Sequence, residues 1–343
     1  MTPPTLKPPI QNHVSLQSFN TLAIPVYAAQ FTTVTAVSEL KNILQSNVGR
    51  NPLLILGGGS NIVFSQDPEG LVIHNKLKGV AFLPQSNGQV LMEAAAGECW
   101  HDIVRQSVER GLCGIENLSL IPGTVGASPI QNIGAYGVEL KDVFHSLDAI
   151  EISSTKNRTF FAEDCGFGYR DSVFKGSLAN QFVITKVRLL LNQDNHFCTG
   201  YGEIERYLLE NKIQQLTPLV MSDVISAIRS AKLPDPAQLP NAGSFFKNPI
   251  VPREHYLKIL EVEPSVVSYP LQNGDVKLAA GWLIDRLGWK GKVVEGAKVH
   301  DKQALVLINC GGGGKAILSL AGLIKKDVQH HFGVELEVEP VVI

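Results

Sequence analysis

A handful of short stretches carry residues whose types and spacing could do chemistry. Gly57-Gly58-Gly59-Ser60-Asn61 follows an apolar run. Its glycines let successive backbone N–H groups converge on an anion with no Cβ in the way, and Ser60 and Asn61 add side-chain donors. The spacing fails the dinucleotide fingerprint, because Ile62 stands where the third glycine belongs, and it lacks the Lys-Ser/Thr of a P-loop. A plain turn explains these five residues as well as a phosphate cradle does. Residues 121–137, IPGTVGASPIQNIGAYG, contain Gly123, Gly126, Gly134 and Gly137 and no charged side chain. Ser128, Gln131 and Asn132 can hydrogen-bond a large, partly apolar ligand while apolar neighbours cover its ring. Two such loops suggest a dinucleotide with a flat ring system, for which a flavin fits best; an internal packing turn is the alternative. A third glycine run, 309–315, has Asn309 and Ala316 where a P-loop needs Gly and Ser/Thr, and is expected to be a flexible strand-to-helix link.

Arg170, in GYRDS, could present its planar fork to a carboxylate in two parallel hydrogen bonds; an ion pair with Asp171 is the plainer reading. Lys232, just before Pro234-Asp235-Pro236, suits a phosphate or plain solvent. In NAGSFFKNP, 241–249, Ser244 reads from local chemistry as a turn hydroxyl between a small-residue bend and two phenylalanines. Near the end, VELEVEP alternates with a period of two, placing Val334, Leu336 and Val338 on one strand face and Glu335, Glu337 and Glu339 on the other. Three carboxylates on one face usually mean a wet face, but Glu339 adjoins Pro340, where a side chain can turn into a site.

The elements that must position these residues follow from periodicity. A helix over 37–44, strands at 53–56, 71–73 and 90–94, and a helix with Trp100, Ile103, Val104 and Val108 on one side are expected. Gly111 stands where that helix should end. A strand at 182–191 comes next, then a polar connection near 210–220. In the last third, Ala280, Leu283, Ile284 and Leu287 form a helix face closed by Gly288, a strand is expected at 304–308, and Ile317, Leu320, Ala321, Ile324 and Val328 mark a final helix ending at Gly333. This is an α+β pattern in three parts. The expected divisions are a disordered lead at 1–13, units at 14–79, 80–218 and 219–333, and a C-terminal strand at 334–343.

The 343 residues exceed what one core usually fills. A composition of 44% hydrophobic and 18% charged residues with a net charge of −2 excludes a disordered chain and gives no basic footprint for nucleic acid. Five scattered cysteines without a CxxC pair argue against a disulfide framework or a metal site. The proline-rich start lacks the apolar region of a signal peptide, and no run approaches the roughly 18 apolar residues of a membrane span. A cytoplasmic, soluble, monomeric protein with no nucleic-acid or membrane partner is expected.

Taken in order, LGGGSN, IPGTVGASPIQNIGAYGVEL, FGYRDSVFK, KLPDP, NAGSFFKNP, KLAAGWLID and VHDKQALVLIN strongly resemble the UDP-N-acetylenolpyruvoylglucosamine reductase family, also called UDP-N-acetylmuramate dehydrogenases, from about residue 14 onward. The chain looks like the type I form, in which a tyrosine, here Tyr201, covers the substrate. The resemblance implies three α+β domains, two forming an FAD-binding module like that of vanillyl-alcohol oxidases and a third holding the UDP-sugar. It implies FAD as cofactor and NADPH as reductant, the two substrates using one cleft in turn, and a product, UDP-N-acetylmuramate, that feeds peptidoglycan synthesis. By the same resemblance Ser244 is the acid that protonates the substrate, Arg170 polarises its carboxylate and Glu339 helps hold the intermediate. Tyr169, Lys232 and Asn248 match substrate contacts. Gly57, Gly58, Gly59, Ser60 and Asn61, with Ile121, Pro122, Ser128, Gln131 and Gly134, fall on the flavin motifs.

Type I relatives commonly read Glu-Pro-Glu-Val-Arg where this chain has Glu337-Val338-Glu339-Pro340-Val341 and then Ile343 as its last residue. The proline has moved, Val341 stands in place of an arginine that contacts flavin, and the usual tail is missing. Glu337 is therefore the second candidate for the glutamate, and an altered flavin affinity is expected. Two rival readings are a flavin oxidase of the same fold and a non-catalytic UDP-sugar-binding protein. The chain has no His or Cys where a covalent flavin link would be obvious, which counts against the first. Neither Ser244, Arg170 nor the glycine loops are lost, which counts against the second.

Overall fold

The computed structural model describes residues 8–47, 49, 51–86, 88–194 and 196–343, which form two compact units interleaved in sequence. The first comprises residues 28–58 and 68–231 with the described residues up to Val14; the second comprises 15–27, 59–67 and 232–343.

The first unit contains two sheets. In the four-stranded sheet, Gln11–Ser15, Tyr27–Val34, Leu71–Asn75 and Leu53–Leu56 lie side by side, with Phe31 opposite Val72 and Leu53 opposite Leu71 in parallel ladders. The near-continuous apolar runs at 53–56 and 71–73 are what a parallel strand covered by helix requires. Helix Val37–Asn47 buries Leu40, Ile43 and Leu44 against Val34, Leu71 and Ile73. The five-stranded antiparallel sheet runs Asn157–Phe161, Phe144–Glu151, Phe182–Leu191, Val90–Ala95, Val80–Pro84. Helix Trp100–Val108 sinks Trp100, Ile103, Val104 and Val108 into its core. Helices Gly202–Glu210 and Pro218–Lys232 share a smaller core of Ile204, Met221, Val224, Ile225 and Ile228. Both flank the expected polar connection, which is thus shorter than anticipated.

The second unit carries a sheet ordered Asn241–Ser244, Val306–Asn309, Ala297–Val299, Val293–Val294 and a smaller one ordered Ile250–Val251, Val276–Leu278, Ser268–Pro270. Helix Ala280–Arg286 ends at Gly288, whose φ is 68°, and helix Gly313–Phe332 ends at the left-handed Gly333, φ 67°.

Several expectations are corrected. Residues 1–7 of the expected lead lie outside the described residues, and residues 11–13 belong to an edge strand instead of a disordered arm. The strand expected at 304–308 is Val306–Asn309. The alternation over 334–338 buries Val334 and Leu336 and exposes Glu335 and Glu337, yet the ladder strand is Val341–Val342, paired in parallel with Ile62–Val63. Nor is the third glycine run a loose link. Gly314 lies inside the final helix, where a Cβ would stand 1.8 Å from the Phe64 carbonyl oxygen. Exchanging glycine for alanine inside a helix normally stabilises it by nearly 1 kcal/mol. Gly314→Ala is expected to destabilise instead, by about 1–3 kcal/mol through overpacking, read as a lowered Tm in thermal unfolding.

Candidate active site

Among the described residues no helix is long and apolar enough to cross a membrane, and no group of three or more His, Cys, Asp or Glu is placed to hold a metal ion. The candidate residues divide between the two units.

In the first unit the two glycine loops meet backbone to backbone. A Cβ on Gly58 would stand 3.1 Å from Gly123 Cα, and one on Gly57 would stand 2.4 Å from Thr124 Oγ1. The loop carrying Ile121 and Pro122 is held by Trp100, whose backbone N–H donates to Gly123 O at 3.0 Å and whose indole N–H donates to Leu118 O at 3.0 Å. One of these segments runs out of the carboxyl end of a parallel strand, and the two approach so closely that glycine is required where they meet. Ser128 is 1% exposed, and its hydroxyl donates to Val125 O at 2.7 Å, closing the turn. Gln131 is half-buried on the same loop.

Farther along, Gly134 and Arg170 touch. The Arg170 guanidinium donates from Nη2 to Gly134 O at 2.7 Å, and a Cβ on Gly134 would stand 3.0 Å from Nη1. Arg170 has φ 54°, a left-handed conformation that a large side chain rarely adopts. Asp171 turns to the Ser172 N–H at 2.9 Å. The Tyr169 ring lies 5.6 Å from the Arg170 guanidinium carbon. Asn132 organises this corner: buried, with φ 42°, its amide donates to Glu139 Oε2 and to Gly168 O, both at 2.9 Å, and its Oδ1 accepts from Lys141 N–H. Sequence reasoning placed Asn132 among the ligand donors; the structure makes it the pin between the glycine loop and the segment bearing Tyr169 and Arg170. Tyr201 precedes helix Gly202–Glu210 and stacks edge-on with Tyr136 at 5.6 Å, 37% exposed.

A cleft of about 700 Å³ in the same unit is lined by Lys78, Asp148, Arg158, Lys186 and Arg188 among others. Lys78 pairs with Glu98, Lys186 and Arg188 with Glu93, and Arg188 with Asp148, while the Arg158 guanidinium lies over the Phe160 ring, so the cleft carries a structural reading.

In the second unit Gly59, with φ 59°, brings its backbone against Phe19, where a Cβ would meet the carbonyl oxygen at 2.0 Å. Ser60 and Asn61 follow, half-buried, and Asn61 O accepts the Val341 N–H at 3.0 Å. The stretch 241–249 is a bulged strand end. Asn241 pairs with Ile308 and Ser244 with Val306, with a register shift between them at Gly243, φ 70°. Phe245 and Phe246 are 0% and 1% exposed and pack edge-on at 5.4 Å. Between two anchored rings and a bulge, Ser244 is held by backbone on both sides, in contrast to a hydroxyl on a free turn.

The C-terminal segment runs antiparallel to this one. Phe246 bridges Val338, Glu339 N–H donates to Phe245 O at 2.9 Å, and Lys247 N–H donates to Glu337 O at 2.9 Å. That register separates the two glutamates. Glu337, 69% exposed, forms a salt bridge with Lys247 Nζ, while Glu339 is half-buried beside the chain that carries Ser244. Asn248 accepts the Ala280 N–H on Oδ1 at 3.0 Å, capping helix Ala280–Arg286, and Lys232 is half-buried at the end of helix Pro218–Lys232.

Lys247 as the partner of Glu337 is legible only once the C-terminal segment is seen to pair with residues 245–247. Arg229 and His101, which grip Leu120 at the entry to the second glycine loop, belong to no motif.

A family model described as UDP-N-acetylenolpyruvoylglucosamine reductase, C-terminal domain, matches residues 235–343, and one described as FAD binding domain matches residues 28–155. The chain is 48% identical over 333 residues to the UDP-N-acetylenolpyruvoylglucosamine reductase of Pseudomonas syringae pv. syringae, covering 96% of this chain and 98% of that one. It is 44% identical over 336 residues to the protein of that name from Flavobacterium johnsoniae, covering 97% and 99%. The crystal structure of UDP-N-acetylenolpyruvylglucosamine reductase from Thermus caldophilus superposes with a TM-score of 0.67 at 24% identity, over 98% of this chain and 99% of that one, a likeness of fold.

Proposed function

The chain belongs to the UDP-N-acetylenolpyruvoylglucosamine reductase family, and from that premise we propose that it reduces UDP-N-acetylglucosamine enolpyruvate to UDP-N-acetylmuramate with FAD and NADPH, in the cytoplasm, for peptidoglycan precursor synthesis. Two observations, each within its own unit, support this reading: the interlocked glycine loops of the first, and in the second a backbone-clamped Ser244 on the segment that pairs with the one bearing Glu339.

When bound, FAD supplies the redox chemistry, accepting a hydride from NADPH and returning it to the terminal methylene carbon of the enolpyruvyl group. Gly57, Gly58 and the 121–134 loop would hold the cofactor, with Gly59, Ser60 and Asn61 continuing that contact. Arg170 binds the enolpyruvyl carboxylate and polarises it, so that negative charge arriving on the carbon next to the carboxylate is spread onto oxygens facing a fixed cation. Its left-handed backbone and its bond to Gly134 O fix the fork before substrate arrives, which is the preorganisation such stabilisation needs.

Ser244 Oγ gives its proton to that carbon. A hydroxyl is a weak acid, so the acceptor must be the basic, enolate-like species that follows hydride addition. Glu339 acts beside Ser244; the exposure of Glu337 and its salt bridge with Lys247 support Glu339 over Glu337 for this role. Tyr169, Lys232 and Asn248 contact the UDP-sugar and Tyr201 covers it. The division into 14–79 and 80–218 for the cofactor, 219–333 for the UDP-sugar and 334–343 for the glutamate describes these tasks, and the protein acts as a monomer. Absorbance of the purified protein after FAD is offered gives the first test: a bound-flavin spectrum bleached by NADPH is expected, and a colourless protein would refute the proposal.

A further inference from the structure

The entry to the second glycine loop is strained. Leu120, immediately before Ile121-Pro122-Gly123, has φ 56°. A leucine in the left-handed region is uncommon and persists only where its surroundings over-determine it. Those surroundings are two side chains from two helices. His101, on helix Trp100–Val108, accepts the Leu120 N–H on Nδ1 at 3.0 Å, and Arg229, on helix Pro218–Lys232, donates from Nη2 to Leu120 O at 3.4 Å. The same two helices reinforce the grip on either side of Leu120. Trp100 donates to Leu118 O, and the Ser119 and Ser222 hydroxyls meet at 2.8 Å, both fully buried. The Arg229 Nε is buried without a hydrogen-bond acceptor. A cation kept in that position at such a cost argues for a task.

We propose that His101 and Arg229 are positioning residues: by clamping both backbone polar groups of Leu120 they set the Ile121-Pro122-Gly123 turn, and with it the backbone of Gly123 that faces Gly58. The inference rests on the reading of these loops as the FAD cradle. The clamp works in one protonation state only. With Nδ1 accepting, the ring must be neutral; protonation turns Nδ1 into a donor and sets it against the Leu120 N–H. Burial, and then Arg105, hold the imidazole below its ordinary range; Asp102 opposes them and Arg229 adds to them. These are the charged groups facing the ring, two from its own helix and one from the helix opposite. Neutral His101 is therefore the folded form at neutral pH, and the contact is lost as pH falls through the lowered value.

The test is FAD affinity of the full-length protein, read by quenching of flavin fluorescence from about pH 8 to about pH 5.5, in wild type, His101→Gln, His101→Phe and Arg229→Met, with far-UV circular dichroism as the check on folding. Glutamine can accept the Leu120 N–H through its amide oxygen and does not titrate. Wild type is expected to weaken on the acid side, and His101→Gln to keep affinity at neutral pH without that weakening. His101→Phe and Arg229→Met are expected to bind about 10- to 100-fold more weakly throughout, since each leaves one partly buried backbone polar group of Leu120 unmet. Should the phenylalanine chain fail to fold, the glutamine profile decides alone. Wild-type affinity and an unchanged pH profile in both His101 variants would overturn the proposal. A wild-type protein that binds no FAD at any pH would instead defeat the cofactor reading, and this inference with it.

Discussion

Ser244→Ala is expected to leave the flavin fully reducible by NADPH while turnover of the enolpyruvyl substrate falls by about 10²–10⁴-fold or more, the usual cost of losing a positioned acid. The asymmetry follows from chemistry. Hydride transfer from NADPH needs no proton from Ser244, whereas saturation of the enolpyruvyl double bond needs one on the carbon that receives no hydride. The backbone around the residue argues that alanine will not disturb the frame. Ser244 is held by its pairing to Val306, by the bulge at Gly243 and by two buried phenylalanine rings, none of which uses the hydroxyl. Single-turnover kinetics of the two half-reactions separate the possibilities, and an equal loss in both would mean that Ser244 only shapes the strand end.

Gly58→Val is expected to abolish practical FAD binding while leaving the fold intact. The added Cβ would stand 3.1 Å from Gly123 Cα, tighter than nearly all carbon–carbon contacts, so the Gly123 backbone must give way, and the branched side chain cannot relieve this by changing rotamer. In the proposed cradle, moving either loop would take amide donors away from the cofactor's pyrophosphate. With hydrogen bonds to charged groups at about 1.5–3 kcal/mol each, the loss of two corresponds to roughly 100-fold or more in affinity. Gly58 lies on the exposed rim after strand Leu53–Leu56, so far-UV circular dichroism and Tm should change little while flavin absorbance disappears on gel filtration. Retention of stoichiometric FAD would remove Gly58 from the cradle.

What was legible in the sequence is what local periodicity encodes. The parallel strands at 53–56 and 71–75 announce themselves as continuous apolar runs, the alternation of 182–191 gives a half-buried strand, and the final helix is bounded by its apolar stripe and Gly333. Pairings between distant residues left no such trace. Nothing in GGGSN says that Gly58 will face Gly123, and nothing in VELEVEP says that residue 338 will bridge residue 246, the contact that sets Glu337 apart from Glu339. The 241–249 stretch misled for a related reason. Asn, Ala, Gly and Ser in a row satisfy the chemistry of a turn, but a partner strand more than sixty residues away makes them a bulged edge. The glycines at 311–314 look flexible in isolation, and only the approach of Phe64 explains why glycine is required at 314. His101 and Arg229 were invisible because their target is the backbone of Leu120, which carries no sequence signature of its own.

The central claim is that flavin in this protein delivers its hydride to an enolpyruvyl UDP-sugar. The most direct test is an anaerobic stopped-flow experiment on the FAD-loaded, full-length protein. One equivalent of NADPH should bleach the flavin absorbance, and UDP-N-acetylglucosamine enolpyruvate added in the absence of oxygen should restore it with stoichiometric formation of UDP-N-acetylmuramate. Flavin that stays reduced with the enolpyruvyl substrate and is reoxidised only when oxygen is admitted would contradict the account and point to an oxidase.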